Sequence, residues 1–371
     1  MYAYILRRLV LIIPTLLGIM IINFAVVQFI PGGPVEQLIA ELSGEAVDAT
    51  ARVGGQAGNE TAVKRASKTT AGKGDGASRY RGAQGLPPEL IEQMEKQFGL
   101  DKPAHERFLL MIGNYATFDF GDSYFQDKSV ARLVIEKMPV SISLGLWTTI
   151  LVYMISSPLG ITKAVRDGSR LDVWTSGIVI FGNAVPSFLF AILLIVLFAG
   201  GRYLNWFPLR GLTSPGFESM TMMEQIGDYF WHMSLPLLSM VIGGFAGLTM
   251  LTKNSFIEEV NKQYVTTARS KGLTTKQVLF GHIFRNAMLI VIAGFPSAFI
   301  GILFTGALLT EVIFSLDGLG LLGFEAALKR DYPVMFGTLY FFTLLGLLMG
   351  IIGDIMYHIV DPRIDFEARD V

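Results

Sequence analysis

No cysteine occurs among the 371 residues of this chain. Disulfides, thiolate metal sites and cysteine nucleophiles are therefore excluded together. Charge is scarce as well: Asp, Glu, Lys and Arg make up 16% of the residues, against about 25% in a soluble domain. Hydrophobic residues make up 51% and the mean hydropathy is +0.49. Such a chain uses lipid as part of its solvent. The formal net charge is −1, so no bulk charge points to nucleic acid. Recognisable catalytic motifs are missing too. The one near-match to a G-x-x-x-x-G-K-[ST] phosphate loop, Ala71-Gly72-Lys73-Gly74, lacks the upstream glycine, the hydroxyl residue and a strand-to-helix setting. His105, His232, His282 and His358 are far apart, with no H-E-x-x-H among them, and no G-x-S-x-G serine is present. A membrane-embedded hydrolase has no supporting constellation.

What is present is a set of long apolar runs. About 20 apolar residues cross a hydrocarbon core of about 30 Å. Leu9–Ile30, Val140–Ile161, Val173–Gly201, Met233–Thr252, Ala287–Thr310 and Val334–Gly353 meet this length without one Asp, Glu, Lys or Arg. Six crossings are expected. The first follows Arg7 and Arg8, but its apolar run is longer than the core of a signal peptide and no small-residue cleavage site closes it. It reads as a retained span. Charge-free spans argue against a proton-coupled carrier, which needs an ionisable group within the membrane. A conduit driven by energy from elsewhere is what remains. Gly243-x-x-x-Gly247 and Gly346-x-x-x-Gly350 could admit close helix contacts.

Lys and Arg in short loops set orientation. With the N-terminus inside, the inner segments collect Arg7, Arg8, Lys163, Arg166, Arg170, Lys253, Lys262, Arg269, Lys271, Lys276, Arg285, Arg363 and Arg369, while the two short outer loops hold Arg202, Arg210, Lys329 and Arg330. Both termini are expected on the cytosolic side. The domain plan is then residues 1–30 as N-terminus and first span, 31–137 as an outer segment, 138–361 as a five-span core with a cytosolic loop at 253–286, and 362–371 as a cytosolic tail. Within the outer segment, Gly44–Gly85 has almost no large apolar residue and is expected to stay weakly structured. Helix is expected from Pro87, with Leu90, Met94 and Phe98 on one face and Gly99 at its end, then from Pro103 to Asn114, and an amphipathic stretch Val130–Lys137 should lead into the second span.

The inner loop between spans four and five carries the most information. Phe256, Val260, Val265 and Ala268 form an approximate apolar stripe at helical spacing. Gly272 is placed to end that helix in a left-handed turn. Thr274 and Gln277 form a capping box that starts a second helix. Glu258, Glu259, Lys262, Arg269 and Lys271 are expected to keep the outer face wet. This helix–turn–helix elbow suits transmission of a push from another protein; from periodicity alone, a solvated connector serves equally. Asn183, Pro186 and Ser187 interrupt the third window and are candidates for the translocation pathway, or for a kink satisfied by neighbouring helices. Glu311, Asp317, Glu325 and Asp331 read as a solvated outer loop, with partner docking as the alternative. Trp206 and Trp231 are expected as interfacial anchors.

The elbow reads Tyr264-Val-Thr-Thr-Ala-Arg-Ser-Lys-Gly272-Leu273, followed by His282-Ile-Phe-Arg-Asn-Ala287. It resembles the coupling loop of binding-protein-dependent ABC importer permeases of the dipeptide/oligopeptide group. Phe98-Gly99-Leu100-Asp101-Lys102-Pro103, Phe120-Gly121-Asp122-Ser123, Pro186-Ser187-Phe188, Asn205-Trp206-Phe207-Pro208, Glu311-Val-Ile-Phe314, Gly318-Leu-Gly320, Asp331-Tyr332-Pro333 and Asp361-Pro362-Arg363 extend the likeness along nearly the whole chain. The insert and the elbow are most similar to the Yej-type oligopeptide/microcin C branch, B-type member of its pair. Departures from the family pattern are Met288-Leu289-Ile290 in place of a proline after Arg-Asn-Ala, Asp317 where a proline often precedes Gly-Leu-Gly, and Lys253 in place of an arginine.

The resemblance implies an all-α polytopic membrane protein with six transmembrane helices of the type I ABC importer permease fold, carrying an outer insert between helices one and two. It implies a bacterial inner-membrane permease that moves oligopeptides, with no catalysis of its own. Nickel or short sugars are alternative cargoes, and an ion-coupled secondary carrier is the rival class. Implied partners are a second homologous permease, a cytosolic ATPase with two nucleotide-binding domains, a periplasmic peptide-binding protein, peptide and membrane lipid. No cofactor is implied for this chain; ATP and Mg belong to the ATPase. The coupling positions carried over are Glu258, Tyr264, Ala268, Arg269 and Gly272. Gly272 allows the turn, Ala268 fits closely against the partner and Arg269 pairs with an acidic group there.

Overall fold

A computed structural model describes residues 2–29, 33–42, 101–200, 203–302 and 308–360, together with Glu89, Glu92, Glu95 and Lys96. The 44–85 insert and Asp361-Pro362-Arg363 with the tail lie outside these residues, as does the rest of the helix expected from Pro87 to Gly99, whose four described residues are helical. The described chain is helical, and its one β-bridge pairs Asp122 with Ser129. In order, the helices are α1 (Tyr2–Phe29), α2 (Pro34–Leu42), α3 (Ala104–Ala116), α4 (Val130–Val165), α5 (Arg170–Ala184), α6 (Ser187–Phe198), α7 (Met222–Val260), α8 (Gln263–Ser270), α9 (Thr275–Val278), α10 (Phe284–Ala287), α11 (Leu289–Ala293), α12 (Phe295–Gly301), α13 (Leu308–Ile313), α14 (Leu319–Lys329) and α15 (Tyr332–Val360). A single π-helical turn, Leu279–Ile283, joins α9 to α10.

Four helices are long and apolar enough to cross a membrane unbroken: α1, α4, α7 and α15. Two bent pairs pass the same test of length and composition, each as one broken span or a re-entrant loop: Arg170–Ala184 meets Ser187–Phe198 at 93°, and Thr275–Ala287 meets Leu289–Gly301 at 42°. Counted as one span each, they bring the total to the six expected from the apolar windows. The sharper bend has a local cause. Pro186 cannot donate a backbone N–H and disfavours helical backbone at the residue before it. Val185 is accordingly extended (φ −89°, ψ 118°), and Pro186 opens α6, its carbonyl accepting from Leu189 N and Phe190 N. Val130–Lys137 does lead into the second crossing, as one helix of 36 residues. The second arm of the elbow is helical from Thr275, as expected, and after a 42° bend continues into Leu289–Gly301.

The chain divides into two compact units. One comprises Met1–Ile12, Val140–Leu316 and Leu344–Val371; the other Ile13–Pro139 and Asp317–Thr343. In the first, α5 and α6 both pack on α7. Small residues set the contacts on α7. From α4, a Cβ on Gly160 would lie 2.6 Å from Thr252 Cβ and 2.8 Å from the Thr249 carbonyl; from α5, a Cβ on Gly182 would lie 3.0 Å from the Phe245 ring. A Cβ on Gly243 would lie 3.3 Å from Ser187 Cβ, whereas Gly247 and Gly350 have nothing within 4 Å. Only Gly243 of those three glycines makes the expected close approach.

Glu311 corrects the reading of a solvated loop. It sits in α13, fully buried, and accepts from Ser141 Oγ at 2.8 Å. An ionisable group that far from water needs such a donor to offset its desolvation.

In the second unit, Met20, Tyr115 and Phe336 are buried together, and Tyr115 packs edge-on against Phe120 and Tyr340 at 5.0 and 5.5 Å. Asp317 stays exposed and pairs with Lys137, as a loop residue should. Asp331 does not: it is 2% exposed, and it accepts from Ser123 Oγ and, at 3.2 Å, from Tyr124 N. Burial holds its carboxyl above the ordinary aspartate range, although these donors pull the other way. A raised folded pKa favours the neutral acid. Its contribution is therefore fully present below the ordinary aspartate pKa of about 3.9 and is lost as pH rises through the raised value. Thermal unfolding followed from about pH 4 upward should show the wild-type protein losing more stability with rising pH than Asp331→Asn. Parallel curves for the two would remove Asp331 as the cause.

Candidate functional site: the 253–286 elbow

The elbow is built in three steps. First, α7 continues beyond the apolar window to Val260, so Phe256 and Val260 belong to the span's own helix. Asn261 ends it and Lys262 is extended (φ −75°, ψ 152°), which starts the separate helix α8. The expected stripe is thus shared between two helices. Its residues still meet: Phe256, Val265 and Ala268 are buried in one cluster with Val278, Ile283 and Ala287. Second, α8 ends at Gly272, whose φ is +84°. Gly272 N donates to Arg269 O at 2.9 Å and Lys271 N to Thr267 O at 3.1 Å. These bonds satisfy carbonyls that a helix end leaves open. Third, Thr274 caps α9. Its N–H donates to Gln277 Oε1 at 2.9 Å, and Gln277 N donates back to Thr274 Oγ1 at 3.4 Å. The left-handed glycine turn and the capping box stand where the residue pattern put them.

A buried carboxylate that the sequence reading missed organises the inner face. Glu259, expected on the wet side, is buried. It accepts from Tyr264 Oη at 2.6 Å and pairs with Lys262. Asn286 Nδ2 donates to Tyr264 Oη at 3.5 Å, which ties α8 to α10, and Ser255 Oγ donates to the Ala287 carbonyl at 2.7 Å, which ties α7 to α10. Burial, then the bond to Glu259, raises the Tyr264 phenol above its ordinary pKa; the bond to Glu259 also raises Lys262. One signal was available: Glu259 follows Phe256 by three residues, on the same helix face.

Of the five coupling candidates, Glu258, Arg269 and Gly272 lie on the surface, Tyr264 is half-buried and Ala268 is buried. Glu258 is 78% exposed, with Lys262 Nζ 3.9 Å away. The Ala268 methyl packs in the elbow's own core. Exposed Phe280 stands on the π-helical turn and contacts Phe284 at 5.8 Å between ring centroids.

Beside the elbow lies a buried charge network. Lys163 was counted among loop cations, yet its side chain is 0% exposed. Its Nζ donates to Asp172 O, Thr175 Oγ1 and Ser176 Oγ at 3.0, 3.0 and 2.6 Å and pairs with Asp172 Oδ1 at 2.9 Å. Lys253 Nζ grips both Asp172 oxygens at 2.9 and 2.8 Å, and Asp167 at 2.8 Å. The pathway candidates sit at the bend between α5 and α6, with Asn183 and Pro186 exposed and Ser187 half-buried.

Four long apolar helices, two bent apolar pairs and a capped elbow mark a multi-pass membrane protein. The chain belongs to a family of binding-protein-dependent transport system inner membrane components, whose pattern matches residues 156–366. It is 59% identical over 371 residues to the peptidoglycan transport system permease protein YejB of Agrobacterium fabrum, with 100% of both chains covered. It is 57% identical over 370 residues to the inner membrane ABC transporter permease protein YejB of Escherichia coli O157:H7, again covering 100% of both. It is 32% identical over 371 residues to the oligopeptide transport system permease protein AppB of Bacillus subtilis, covering 99% of this chain and 100% of that one.

Proposed function

We propose that this chain is one of two permease subunits of an ATP-driven importer for oligopeptides, including peptide antibiotics of the microcin C kind. The observation that carries this reading is end-to-end similarity, at 32% identity, to a permease named for oligopeptide transport. The elbow docks on a separate ATPase that binds ATP and Mg, and its closure moves α7 and the fifth crossing together, since Ser255 joins them. An extracytoplasmic binding protein delivers peptide to the opposite face. Both termini face the cytosol of a bacterium, and Asn183, Pro186 and Ser187 line part of the pathway. The Agrobacterium relative is named for peptidoglycan transport, which makes peptidoglycan fragments a second candidate cargo.

The test is reconstitution. This chain, the adjacent permease, the ATPase and the binding protein should together take up labelled oligopeptide in proteoliposomes, with ATP and not with an ion gradient alone. Competition with muropeptides, nickel and short sugars ranks the cargoes. Uptake by this chain alone on an ion gradient would overturn the reading.

A further inference from the structure

The second unit holds a cavity of about 330 Å³ that no part of the elbow uses. That is the small end of ligand-pocket sizes, roughly 300–1,000 Å³. It suits one terminal residue and not a whole oligopeptide. Its walls are aromatic, with Phe24, Tyr115, Phe120, Tyr332 and Phe336 among them, and its polar lining includes Arg107.

Arg107 is the informative group. One terminal nitrogen donates to Gln28 Oε1 at 2.9 Å, and the guanidinium stands 6.0 Å from the centre of the Phe24 ring. Its Nε is buried with no hydrogen-bond partner among the described residues. A buried donor left unmade costs about 1–3 kcal/mol, and the planar guanidinium fork matches a carboxylate. Lys102 also lines the cavity. The one acid there, Asp119, has an oxygen engaged by Gly121 N at 3.0 Å. The lining therefore carries two cations against one acid.

We propose that this cavity binds the C-terminal residue of a peptide, its carboxylate on Arg107 and its apolar side chain among the aromatic rings. The anion follows from the cavity's own chemistry. Its identity as a peptide terminus rests on the importer reading, in which this end of α1 faces the side from which peptide arrives. Burial keeps the Tyr115 and Tyr124 hydroxyls above the ordinary phenol range. Neither phenol adds negative charge against such a ligand at neutral pH.

Full-length protein in phosphatidylcholine nanodiscs should bind tritiated N-acetyl-Ala-Phe in a scintillation-proximity assay. The C-terminal amide should bind at least tenfold more weakly. Arg107→Gln should reduce binding of the acid to the level of the amide, with Arg107→Lys between the two. Asn114→Asp places a second acid on the lining and should weaken the acid without touching Arg107. Equal binding of acid and amide, indifference to both Arg107→Gln and Asn114→Asp, or displacement by phosphatidylglycerol but not by other peptide acids would overturn the proposal. Uptake by the assembled importer separates the two levels. Peptide transport without binding here sinks the site and leaves the importer reading; binding here without ATP-driven uptake does the reverse.

Discussion

Gly272→Val should abolish coupled uptake while leaving the chain folded and assembled. The cause is backbone geometry and not space. Gly272 has φ +84°, and a Cβ there would meet nothing within 4 Å. A residue with a Cβ costs about 1–2 kcal/mol in the left-handed region, and a β-branched one fits it worst. Valine would relieve that strain by unwinding the turn that sets α8 against α9. The bond from Leu273 N to Ala268 O, already long at 3.4 Å, would open first. The expected order of ATP-driven uptake is glycine, then asparagine, which tolerates the left-handed region, then alanine, then valine, with valine at least tenfold below wild type. ATPase activity of the assembled complex should lose its stimulation by loaded binding protein. If Gly272→Val transports at the wild-type rate with coupled hydrolysis, the elbow is not where the ATPase acts.

Asp172→Asn should have the largest effect on stability. The substitution is nearly isosteric, so it leaves packing alone and removes charge. Two lysines depend on that charge, and one of them, Lys163, is fully buried. Breaking a buried pair costs about 3–5 kcal/mol, because the remaining charge is left uncompensated away from water. Three helices lose their common tie together: α4 through Lys163, α5 through Asp172 and α7 through Lys253. Asp167→Asn is the matched control. Asp167 meets the same Lys253 at 2.8 Å, but its side chain is 57% exposed, and an exposed pair is worth about 0–1 kcal/mol. Thermal unfolding in detergent should show a large loss for Asp172→Asn and a small one for Asp167→Asn. Equal losses would mean that the network contributes no more than a surface pair.

The elbow was legible because its signals are local. A glycine four residues after a buried alanine, and a threonine three before a glutamine, act through backbone bonds within one turn. The bend in the third crossing was legible for the same reason: Pro186 acts on Val185. The misread residues share a different property. Glu259, Glu311, Asp331 and Lys163 are charged residues near helix ends, where sequence pattern favours solvent. Each is buried because a partner from elsewhere in the chain meets it: Tyr264 for Glu259, Ser141 for Glu311, Ser123 for Asp331 and Asp172 for Lys163. Composition offers no sign of such pairs.

Sequence alone determined the number of crossings, the glycine turn, the capping box and the absence of a phosphate loop. Apolar run length, backbone sterics and local hydrogen bonding act within a few residues, so they can be read along one strand of text. Only the tertiary structure decided which charges are buried, that α7 carries the first part of the elbow as its own extension, and that Arg107 lines an aromatic cavity while its Nε stays buried without a partner among the described residues. Those outcomes depend on which distant side chain arrives to replace water, and that is a property of packing.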